Sequence, residues 1–595
     1  MSFNKIKWVV FFYMFLVMVN TLHSKEKILF HKSSISELSN LKKEFIESTQ
    51  KMKHIEESRI VGINEIDFNE EYKIELNDSV LTTGYFEQKG SFVKFKTSKI
   101  VDYGTFIYKN NTLRGHFKIN NKLFELKPIE KKLHILITID KSEIKEEDCS
   151  LNSLETIESS ENKETSYNKF LSTKIECSTN ILVAYTPEAY NVRGGISDIN
   201  DDIQLAVQLT NESYENSQIN QKVNIVRTIL TNYSESLTDQ YAYLKYHGNV
   251  LIPTDLIRLQ NKTDGYMDEL HNLRDMYSAD FVVLIVGNSG FGGVARVINA
   301  EIEEEAFCAI EATGTFLTSN YTFAHELGHL MGARHDYGAG GANTYYNIPF
   351  AYGHGYCYSS GSGSWRTIMS YNSCGADRIN YWSNPNVTYG GVVMGTTNRE
   401  DNAHVLNETE IDIKDILVTP TNYYMTDDDI VDEYDIADLV AFELLDVESE
   451  YINEPNSEVT FRAGNEIRIG TGFHSKSGSE FHAFIDNVDC SPSSKRINET
   501  QEFDSPNIGN TVLSISPNPV TSISDIVLTV GTSDNVSLIL YDNLGNKRLS
   551  YLEDVSLKSG TYNYTLDGNE LNSGMFVLIL KIDGRIITEK IINLK

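Results

Sequence analysis

Apolar and polar residues follow three different patterns along the chain. Residues 25 to about 175 contain short runs in which the two alternate, such as SFVKFKTSKIV and KLHILITID, and this period of two predicts the strands of a small polar sheet. From about residue 178, continuous apolar runs are separated by segments with apolar residues at helical spacing. Alternation returns beyond residue 424, with glycine at the turns, and predicts all-β modules.

The middle pattern predicts a layered α/β domain whose sheet is mixed and mostly parallel. Buried strands are predicted at NILVAYT, VNIVRTIL and FVVLIVG. Helices are predicted at ISDINDDIQLAVQLTNESYEN, where Asp198 is placed to cap the first turn, and at DGYMDELHNLRDMYSAD. A third helix, which carries several histidines, follows the sheet.

Changes in composition divide the chain into five parts. A charged, serine-rich segment at 141–169 predicts a linker, and the acidic stretch TDDDIVDEYDIADL predicts a solvated connector. Its residues Asp427, Asp428 and Asp429 lack the spacing of a calcium loop, so we do not predict a calcium site here. Calcium binding by another part of the chain is left open. No internal repeat of the solenoid type is predicted. The predicted parts are a signal peptide at 1–24, a β-rich N-terminal region at 25–176, an α/β domain at 177–424, an acidic connector with a small β module at 425–495, and a C-terminal all-β domain at 512–595.

Composition and charge exclude two classes of partner for the protein. A chain of 595 residues exceeds what one hydrophobic core usually supports, and 41% hydrophobic and 11% aromatic residues are enough to build several cores. The formal net charge is −31 and the pI is about 4.9. Such a surface repels nucleic-acid phosphates and anionic membranes, so we exclude both as partners.

The first residues have the pattern of a secretory signal peptide. Lys5 and Lys7 precede the apolar run WVVFFYMFLVMV, and cleavage is predicted after Ser24. This run is too short to cross a bilayer comfortably, and no later stretch predicts a span. The protein is therefore predicted to be exported, with no membrane insertion of the mature chain.

Three histidines in the segment YTFAHELGHLMGARHDYG predict a zinc site. His325 and His329 are four residues apart, so a helix presents both on one face. Gly332 is suited to end the helix in a left-handed conformation, which brings His335 back as a third ligand and leaves a fourth position open. Glu326, beside the first ligand, suits a general base that activates a zinc-bound water. An amphipathic helix with merely buried histidines, the alternative, would not need this spacing.

These motifs resemble the metzincin clan of zinc endopeptidases. HELGHLMGARHD, with Asp336 after the third histidine, is similar to the reprolysin/adamalysin branch, and Met369 in WRTIMSYNSCGADRINYWSNPNV matches its methionine turn. The pieces ILVAYTPEA, DGYMDELHNLRDMYSADFVVLIV and INYWSNPNVTYGG extend the resemblance over residues 178 to 412, near the bacterial peptidyl-Asp metalloendopeptidase group. The resemblance implies one catalytic zinc, polypeptide substrates and a propeptide at 25–176.

One position departs from the adamalysin pattern. Adamalysins usually have proline two places after the turn methionine, whereas this chain has Tyr371. A tyrosine there resembles serralysins and astacins, in which it binds zinc and hydrogen-bonds the reaction intermediate; a tyrosine that only packs under the site is the alternative. The family also implies that substrate pairs with an edge strand before the zinc helix. GFGGVARVINA is the candidate for that strand, although the run would equally fit an interior loop.

The C-terminal segment resembles a second family. LSISPNPVTS, YDNLGN, SGMFVL and the final lysine are similar to the sorting domain of the type IX secretion system. The resemblance implies the secretion machinery as a partner and a protein that is secreted or attached to the cell surface; an ordinary β-sandwich is the alternative. The preceding module carries His474 and His482 without a second metal pattern, and we interpret it as a spacer or adhesion module.

The six cysteines leave their pairing open. Cys149 is either a thiolate that blocks the zinc or, as we prefer, the disulfide partner of Cys177. Cys357 and Cys374 flank the methionine turn and are candidates for a local disulfide, with Cys308 competing for either of them.

Two functions of different classes follow from the sequence. The leading hypothesis is a secreted zinc metalloendopeptidase in which Glu326 activates the zinc-bound water and then protonates the leaving amine. The other is a cell-surface adhesin built on a metzincin scaffold. The intact glutamate and the three histidines favour the enzyme, because an adhesin would not need them.

Overall fold

The computed structural model divides the chain into two units, Met1–Ser494 and Lys495–Lys595. Among the residues it describes, no helix is long and apolar enough to cross a bilayer. The predicted signal peptide, Cys149 and Cys177 lie outside the described residues. The structure describes residues 27–33, 38–52, 54–76, 79–99, 102–140, 178–235, 241–245, 249–287, 292–314, 317–318, 320–337, 350–360, 363–371, 374–414, 416–485, 512–516, 518, 520–530, 534–542, 547–558, 560–572, 574–582 and 585–593.

The N-terminal region forms one ten-stranded sheet in the order β1-β4-β5-β6-β7-β8-β9-β10-β3-β2. Neighbouring strands are antiparallel except β1 and β4, and alternate side chains fill a core rich in phenylalanine. The elements are β1 (Lys27–Ile28), β2 (Phe30–Lys32), α1 (Asn40–Gln50), β3 (Ile55–Ile63), β4 (Glu71–Leu76), β5 (Ser79–Lys89), β6 (Phe92–Thr97), β7 (Tyr103–Lys109), β8 (Thr112–Ile119), β9 (Lys122–Glu130) and β10 (Leu133–Ile139).

The central region forms a mixed sheet with helices, in the order β16-β17-β15-β11-β12 from its edge. Strands β17, β15, β11 and β12 run parallel and are fully or largely buried, as their continuous apolar runs predict, and β16 runs antiparallel at the edge. The elements are β11 (Thr179–Tyr185), α2 (Pro187–Arg193), α3 (Ile196–Asn216), β12 (Val223–Leu230), β13 (Tyr241–Lys245), β14 (Asn249–Pro253), α4 (Thr254–Gln260), α5 (Glu269–Met276), β15 (Phe281–Val286), β16 (Gly293–Ala295), a 3-10 turn (Glu303–Glu305) and β17 (Phe307–Glu311).

Helix α3 begins differently from the prediction. Its N-cap is Gly195, which makes no side-chain capping hydrogen bond, so the prediction that Asp198 caps the helix is wrong. Asp198 lies within the first turn and pairs instead with Arg114 of β8. One turn later, Asp202 accepts hydrogen bonds from Arg114 at 3.2 Å and from Arg193 at 2.7 Å. These buried ion pairs hold the N-terminal sheet against α3.

The histidine helix, α6, packs on β16, β17 and α3. The segment that follows, up to residue 414, contains short strands and two short helices among the residues that the structure describes. Buried aromatic residues contribute to its core. The elements are α6 (Thr322–Leu330), β18 (Cys357–Tyr358), β19 (Trp365–Arg366), β20 (Asp377–Arg378), β21 (Asn384–Tyr389), β22 (Val392–Met394), α7 (Asn402–Glu408) and α8 (Glu410–Lys414).

The region from residue 422 to 485 is a three-turn parallel β-helix, so the prediction that the chain has no solenoid repeat is wrong. The first strands of the three turns pair Asn422 with Leu444 and Leu444 with Glu466, a spacing of 22 residues in both cases. The sequence does not show this repeat clearly, because the inward positions share only apolar character and each strand has only three to six residues. The strands are β23 (Asn422–Met425), β24 (Asp429–Val431), β25 (Ile436–Ala441), β26 (Leu444–Val447), β27 (Tyr451–Asn453), β28 (Glu458–Ala463), β29 (Glu466–Ile469), β30 (Phe473–Ser475) and β31 (Glu480–Ile485).

The first turn of the β-helix extends the central sheet. Strand β25 lies antiparallel to β12, where Arg227 faces Ala437, and β28 and β31 follow it. The fully buried Arg227 guanidinium lies 3.4 Å from Asp429 Oδ1 and 3.6 Å from Asp435 Oδ2. Since both carboxylates are buried, the prediction of a solvated acidic connector is wrong at these positions. The sequence does not indicate their burial, because the arginine that compensates their charge is about 200 residues away in the chain.

The C-terminal unit consists of two antiparallel sheets with a shared leucine-rich core. Their orders are β32-β33-β36 and β35-β34-β37-β38, which agrees with the predicted all-β character. The elements are β32 (Val512–Ser516), β33 (Ile523–Val530), β34 (Asp534–Asp542), β35 (Lys547–Leu557), β36 (Gly560–Asp567), a 3-10 turn (Gly568–Glu570), β37 (Gly574–Ile582) and β38 (Arg585–Asn593).

Candidate metal centre

Helix α6 and the turn after it bring the three predicted histidines together. His325 and His329 lie one turn apart on the buried helix, which ends at Leu330. Gly332 follows with φ of +96°, a conformation that favours glycine, and the chain reverses as predicted. His335 thereby returns to the first two imidazoles, and all three side chains are buried.

The Nε2 atoms of the three rings point at one another. Nε2 of His335 lies 3.1 Å from Nε2 of His325 and 2.9 Å from Nε2 of His329. Nδ1–H of His325 donates to the Ile368 carbonyl at 2.9 Å, and Nδ1–H of His329 donates to the Ala333 carbonyl at 2.9 Å. These backbone bonds fix the tautomer and leave the Nε2 lone pairs of His325 and His329 free to face inwards.

The protonation of the rings suits a cation. Burial lowers the pKa of His329 to about 3. Burial, followed by the neighbouring histidines and Arg378, holds the pKa values of His325 and His335 well below their usual range. All three rings are therefore neutral at neutral pH, the protonation state in which an imidazole nitrogen can bind a metal ion. Tetrahedral zinc about 2 Å from each nitrogen needs nitrogen separations of roughly 3.3 Å, so the donor set fits zinc.

The predicted methionine turn lies directly beneath the helix. Met369 is fully buried, and a Cβ placed on Gly328 would lie 3.1 Å from its sulfur and 2.5 Å from Cη2 of Trp382. The Trp382 indole is anchored, because Nε1 donates to Ser213 Oγ at 2.7 Å. Glycine between the two helical histidines therefore permits the close approach of helix, methionine and tryptophan.

Glu326 and Tyr371, the two predicted catalytic residues, each lie beside a different part of the site. Glu326 follows the first histidine, is 1% exposed, and extends over the edge strand β16 at Gly293. The Tyr371 ring has its centroid 4.0 Å from that of His335. Its backbone N–H donates to Asp336 Oδ1 at 2.8 Å, so the aspartate after the third histidine holds the tyrosine in place.

One supporting residue was missed by the sequence analysis. His354 donates from Nδ1 to the His335 carbonyl at 2.8 Å and is buried. It thereby fixes the backbone of the third histidine. Its position lies 19 residues beyond His335, outside any local motif, so no signal in the sequence could have identified it.

The disulfide at the methionine turn is present as one of the predicted pairings. Cys357 and Cys374 are bonded, and Cys308 is a free, buried thiol in β17. Burial, followed by the charge of Glu326, raises the pKa of Cys308 well above its usual range, so this thiol stays protonated and unreactive.

Two family models match the chain. Residues 177–383 match the metallo-peptidase family M12, and residues 514–594 match the secretion system C-terminal sorting domain. These matches confirm both resemblances inferred from the sequence, together with the prediction of several parts that include a metallopeptidase domain and β-rich regions.

Curated relatives extend the first match. The chain is similar to a peptidyl-Asp metalloendopeptidase of Stenotrophomonas maltophilia, with 36% identity over 52% of this chain and 69% of the relative. It is also similar to one of Xanthomonas campestris pv. campestris, with 34% identity over 52% of this chain and 68% of the relative. Among solved structures, metalloproteinase-II from Bacteroides fragilis aligns with 11% identity and a TM-score of 0.23, over 48% of this chain and 83% of that one.

Proposed function

The chain belongs to the metallo-peptidase family M12, and from that premise we propose that it is a secreted zinc endopeptidase that hydrolyses peptide bonds in proteins. The observation that carries the proposal is the convergence of three buried, neutral imidazoles, with Nε2 atoms 2.9 and 3.1 Å apart. A buried carboxyl directly follows the first of them, which is the combination that metal-assisted hydrolysis requires.

His325, His329 and His335 would hold the zinc through their Nε2 atoms. Three protein ligands leave one tetrahedral position for water and substrate, which distinguishes a catalytic from a structural zinc site. When bound, zinc supplies a Lewis acid and lowers the pKa of water to about 7. Calcium stays a separate expectation to which no residues are assigned.

Glu326 is proposed as the residue that moves the proton. Its carboxylate takes a proton from the water that attacks the peptide carbonyl and delivers it to the nitrogen of the leaving amine. One residue serves both steps because the proton it accepts is the one that the amine needs. Burial beside the sheet edge keeps bulk water from taking the proton instead.

Tyr371 is proposed to donate a hydrogen bond to the oxyanion that forms during attack. Its ring lies against His335, and Asp336 holds its backbone, so its hydroxyl is supported close to the ligands. Replacing Tyr371 by Phe should lower kcat about 100-fold while leaving zinc content unchanged, since removal of an oxyanion donor typically has such an effect. Loss of zinc from the variant would show that the tyrosine has a structural role.

Substrate is proposed to lie along β16, the edge strand from the segment GFGGVARVINA. Strand β16 pairs with β17 on one side, which leaves its other edge for the main chain of a peptide. The peptidyl-Asp names of the relatives suggest cleavage beside aspartate. Peptides that differ only in Asp, Asn or Glu at the cleavage point test this preference, and equal cleavage of all three would contradict it.

Residues 25–176 are proposed to be a propeptide that is held on the enzyme by ion pairs and hydrogen bonds. Lys118 Nζ of β8 lies 3.1 Å from Asp377 Oδ2, and the Tyr103 hydroxyl lies 2.9 Å from that of Tyr321 at the start of the zinc helix. These contacts support the proposal, because Tyr321 immediately precedes the zinc helix. Whether Cys149 blocks zinc or pairs with Cys177 is decided by mass spectrometry of the unprocessed protein without reduction, where a bond between them would exclude the block.

Export is proposed to use the signal peptide and then the type IX machinery, whose sorting domain matches residues 514–594. The mature protein would then be secreted or attached to the cell surface. Removing residues 512–595 should leave the protein inside the producing cell, which fractionation would reveal.

Digestion of casein by the purified protein tests the proposed activity. We expect cleavage that stops with a chelator, returns with zinc, and is absent from the Glu326→Ala variant, whose zinc content should match the wild type. Chelator-resistant cleavage would contradict the proposal, and so would equal activity of the variant. The alternative of an adhesin is not favoured, because the relatives are named as endopeptidases.

A further inference from the structure

The edge strand β16 contains Gly293. The side chain of Glu326 occupies the space that a Cβ atom at this position would need. Gly293 of β16 pairs with Ile310 of β17. A Cβ placed on Gly293 would lie 2.5 Å from Oε1 of Glu326, 2.8 Å from its Cγ and 2.6 Å from Cγ2 of Thr322. Carbon atoms essentially never approach other heavy atoms this closely, so alanine would not fit here unless something moved.

We propose that Gly293 is a positioning residue, which leaves free the volume in which the Glu326 carboxylate is held next to the three imidazoles. This rests on the proposed function, in which Glu326 moves the proton. A glycine is needed here for space and not for backbone conformation, because Gly293 is absent from the positive-φ glycines, unlike Gly332 at the helix end.

The contact can be relieved on the helix side only if the whole Glu326 side chain moves. On the helix side, the Cγ of Glu326 is itself too close, so rotation of the carboxylate alone does not relieve the clash. Thr322 lies one turn earlier on the same face and is buried, so it confines the glutamate from behind. An added methyl group would therefore move the whole side chain to another rotamer.

The strand is also held in place. Val294 and Ala295 are buried in the cores on the two sides of the sheet. The Glu311 N–H donates to the Gly292 carbonyl at 2.9 Å, and the Arg296 N–H donates to the Phe307 carbonyl at 2.9 Å. Because β16 is bonded to β17 on both sides of Gly293, the carboxyl is expected to move and the strand to stay.

The first test is kinetic, with Gly293→Ala in the full chain. A displacement of about 1 Å in a catalytic group costs on the order of 100-fold in rate, so kcat should fall by that factor. KM and zinc content should stay within about threefold of the wild type, because neither the ligands nor the outer edge of β16 changes. Gly363→Ala is the matched control, since a Cβ at Gly363 meets nothing within 4 Å. Unchanged kcat in Gly293→Ala would overturn the proposal.

The second test does not depend on activity. Gly293→Ala should lower the melting temperature of the wild type and should lower it clearly less in a Glu326→Ala background, where the carboxyl and Cγ are absent. A purely structural glycine would cause the same loss in both backgrounds, and that result would overturn the proposal. If the protein cleaves no peptide at all, the proposed function fails while this thermal cycle still decides whether Gly293 and Glu326 share one space.

Discussion

Replacing Arg193 by Met should destabilise the central region strongly, although the position lies outside the motifs of the sequence analysis. Arg193 ends helix α2, is 1% exposed, and connects two parts of the chain. Its Nε donates to Asp202 Oδ2 at 2.7 Å, and its Nη2 donates to Glu125 Oε1 at 3.1 Å. Its Nη1 donates to the carbonyls of Ala312 and Gly314 at 3.1 Å each. Methionine fills a similar volume but makes none of these bonds.

The magnitude follows from the charges that would remain. Removing one partner of a buried ion pair costs about 3–5 kcal/mol, because the other partner is left uncompensated. Asp202 would keep Arg114 at 3.2 Å, and Glu125 would keep Lys127 at 3.6 Å. This partial compensation places the expected loss of unfolding free energy near the lower end, about 3 kcal/mol.

Tryptophan fluorescence during urea denaturation measures this loss. The chain has three tryptophans, of which Trp8 lies in the predicted signal peptide, while Trp365 and Trp382 are buried in the region of the zinc helix. Fluorescence of the protein without its signal peptide therefore reports unfolding of that region alone. Lys122→Met is the matched control, because Lys122 pairs with Glu56 on the exposed surface, and such pairs contribute roughly 0–1 kcal/mol.

The pH dependence of the difference in stability between the wild type and Arg193→Met provides a second test of this ion-pair cluster. Burial raises the pKa of Asp202, but Arg193 and then Arg114 outweigh it, so the pKa lies below its usual value. A carboxyl whose pKa is lower in the folded than in the unfolded state stabilises the protein at pH values above its unfolded-state pKa. This stabilisation is lost as the pH falls towards the folded-state pKa. The difference between wild type and Arg193→Met should therefore shrink below about pH 4. A loss no larger than that of Lys122→Met, or a difference that grows in acid, would refute the account of this ion-pair cluster.

Three further predictions concern other parts of the molecule. Gly328→Ala should reduce the unfolding free energy by about 1 kcal/mol despite a better helix propensity, because the methyl group would overlap the anchored Trp382, 2.5 Å from Cη2; a more stable variant in urea denaturation would contradict this. Burial raises the pKa of Asp280 from 3.8 to about 7. Between pH 4 and 7 the carboxyl of Asp280 is therefore protonated in the native state but ionised in the unfolded state. The unfolding free energy of the wild type should fall by up to roughly 4 kcal/mol as the pH rises over this range, and that of Asp280→Asn should lack this pH dependence. Phe461→Ala should cost about 3–5 kcal/mol, because its ring is fully buried in the β-helix and lies 5.1 Å from that of Tyr451; proteolysis should then cut residues 422–485 first, and unchanged resistance would count against the packing.

The parts of the site that sequence alone predicted are those whose spacing is imposed by one helix. His325 and His329 face one point because four residues make about one helical turn, and Gly332 allows the reversal that brings His335 to them. The central strands were predictable for a similar reason, since a strand buried on both faces needs a continuous apolar run.

What escaped the sequence depends on contacts between distant segments. Gly293 and Glu326 are 33 positions apart, and their shared space is visible only when β16 is placed on α6. The sequence predicts that Asp435 is part of a solvated connector, but the Tyr185 hydroxyl, 250 residues away in the chain, donates a hydrogen bond to its carboxylate at 2.8 Å. The β-helix repeat was hidden because its 22-residue period conserves apolar character and not residue identity.

Anomalous diffraction at the zinc edge, from crystals of the full-length Glu326→Ala variant grown with zinc, tests the central claim most directly. We expect one strong peak about 2 Å from Nε2 of each of His325, His329 and His335, with an open coordination position on the side of residue 326. No peak at that point, or a zinc held by other residues while the three rings stay apart, would contradict the account.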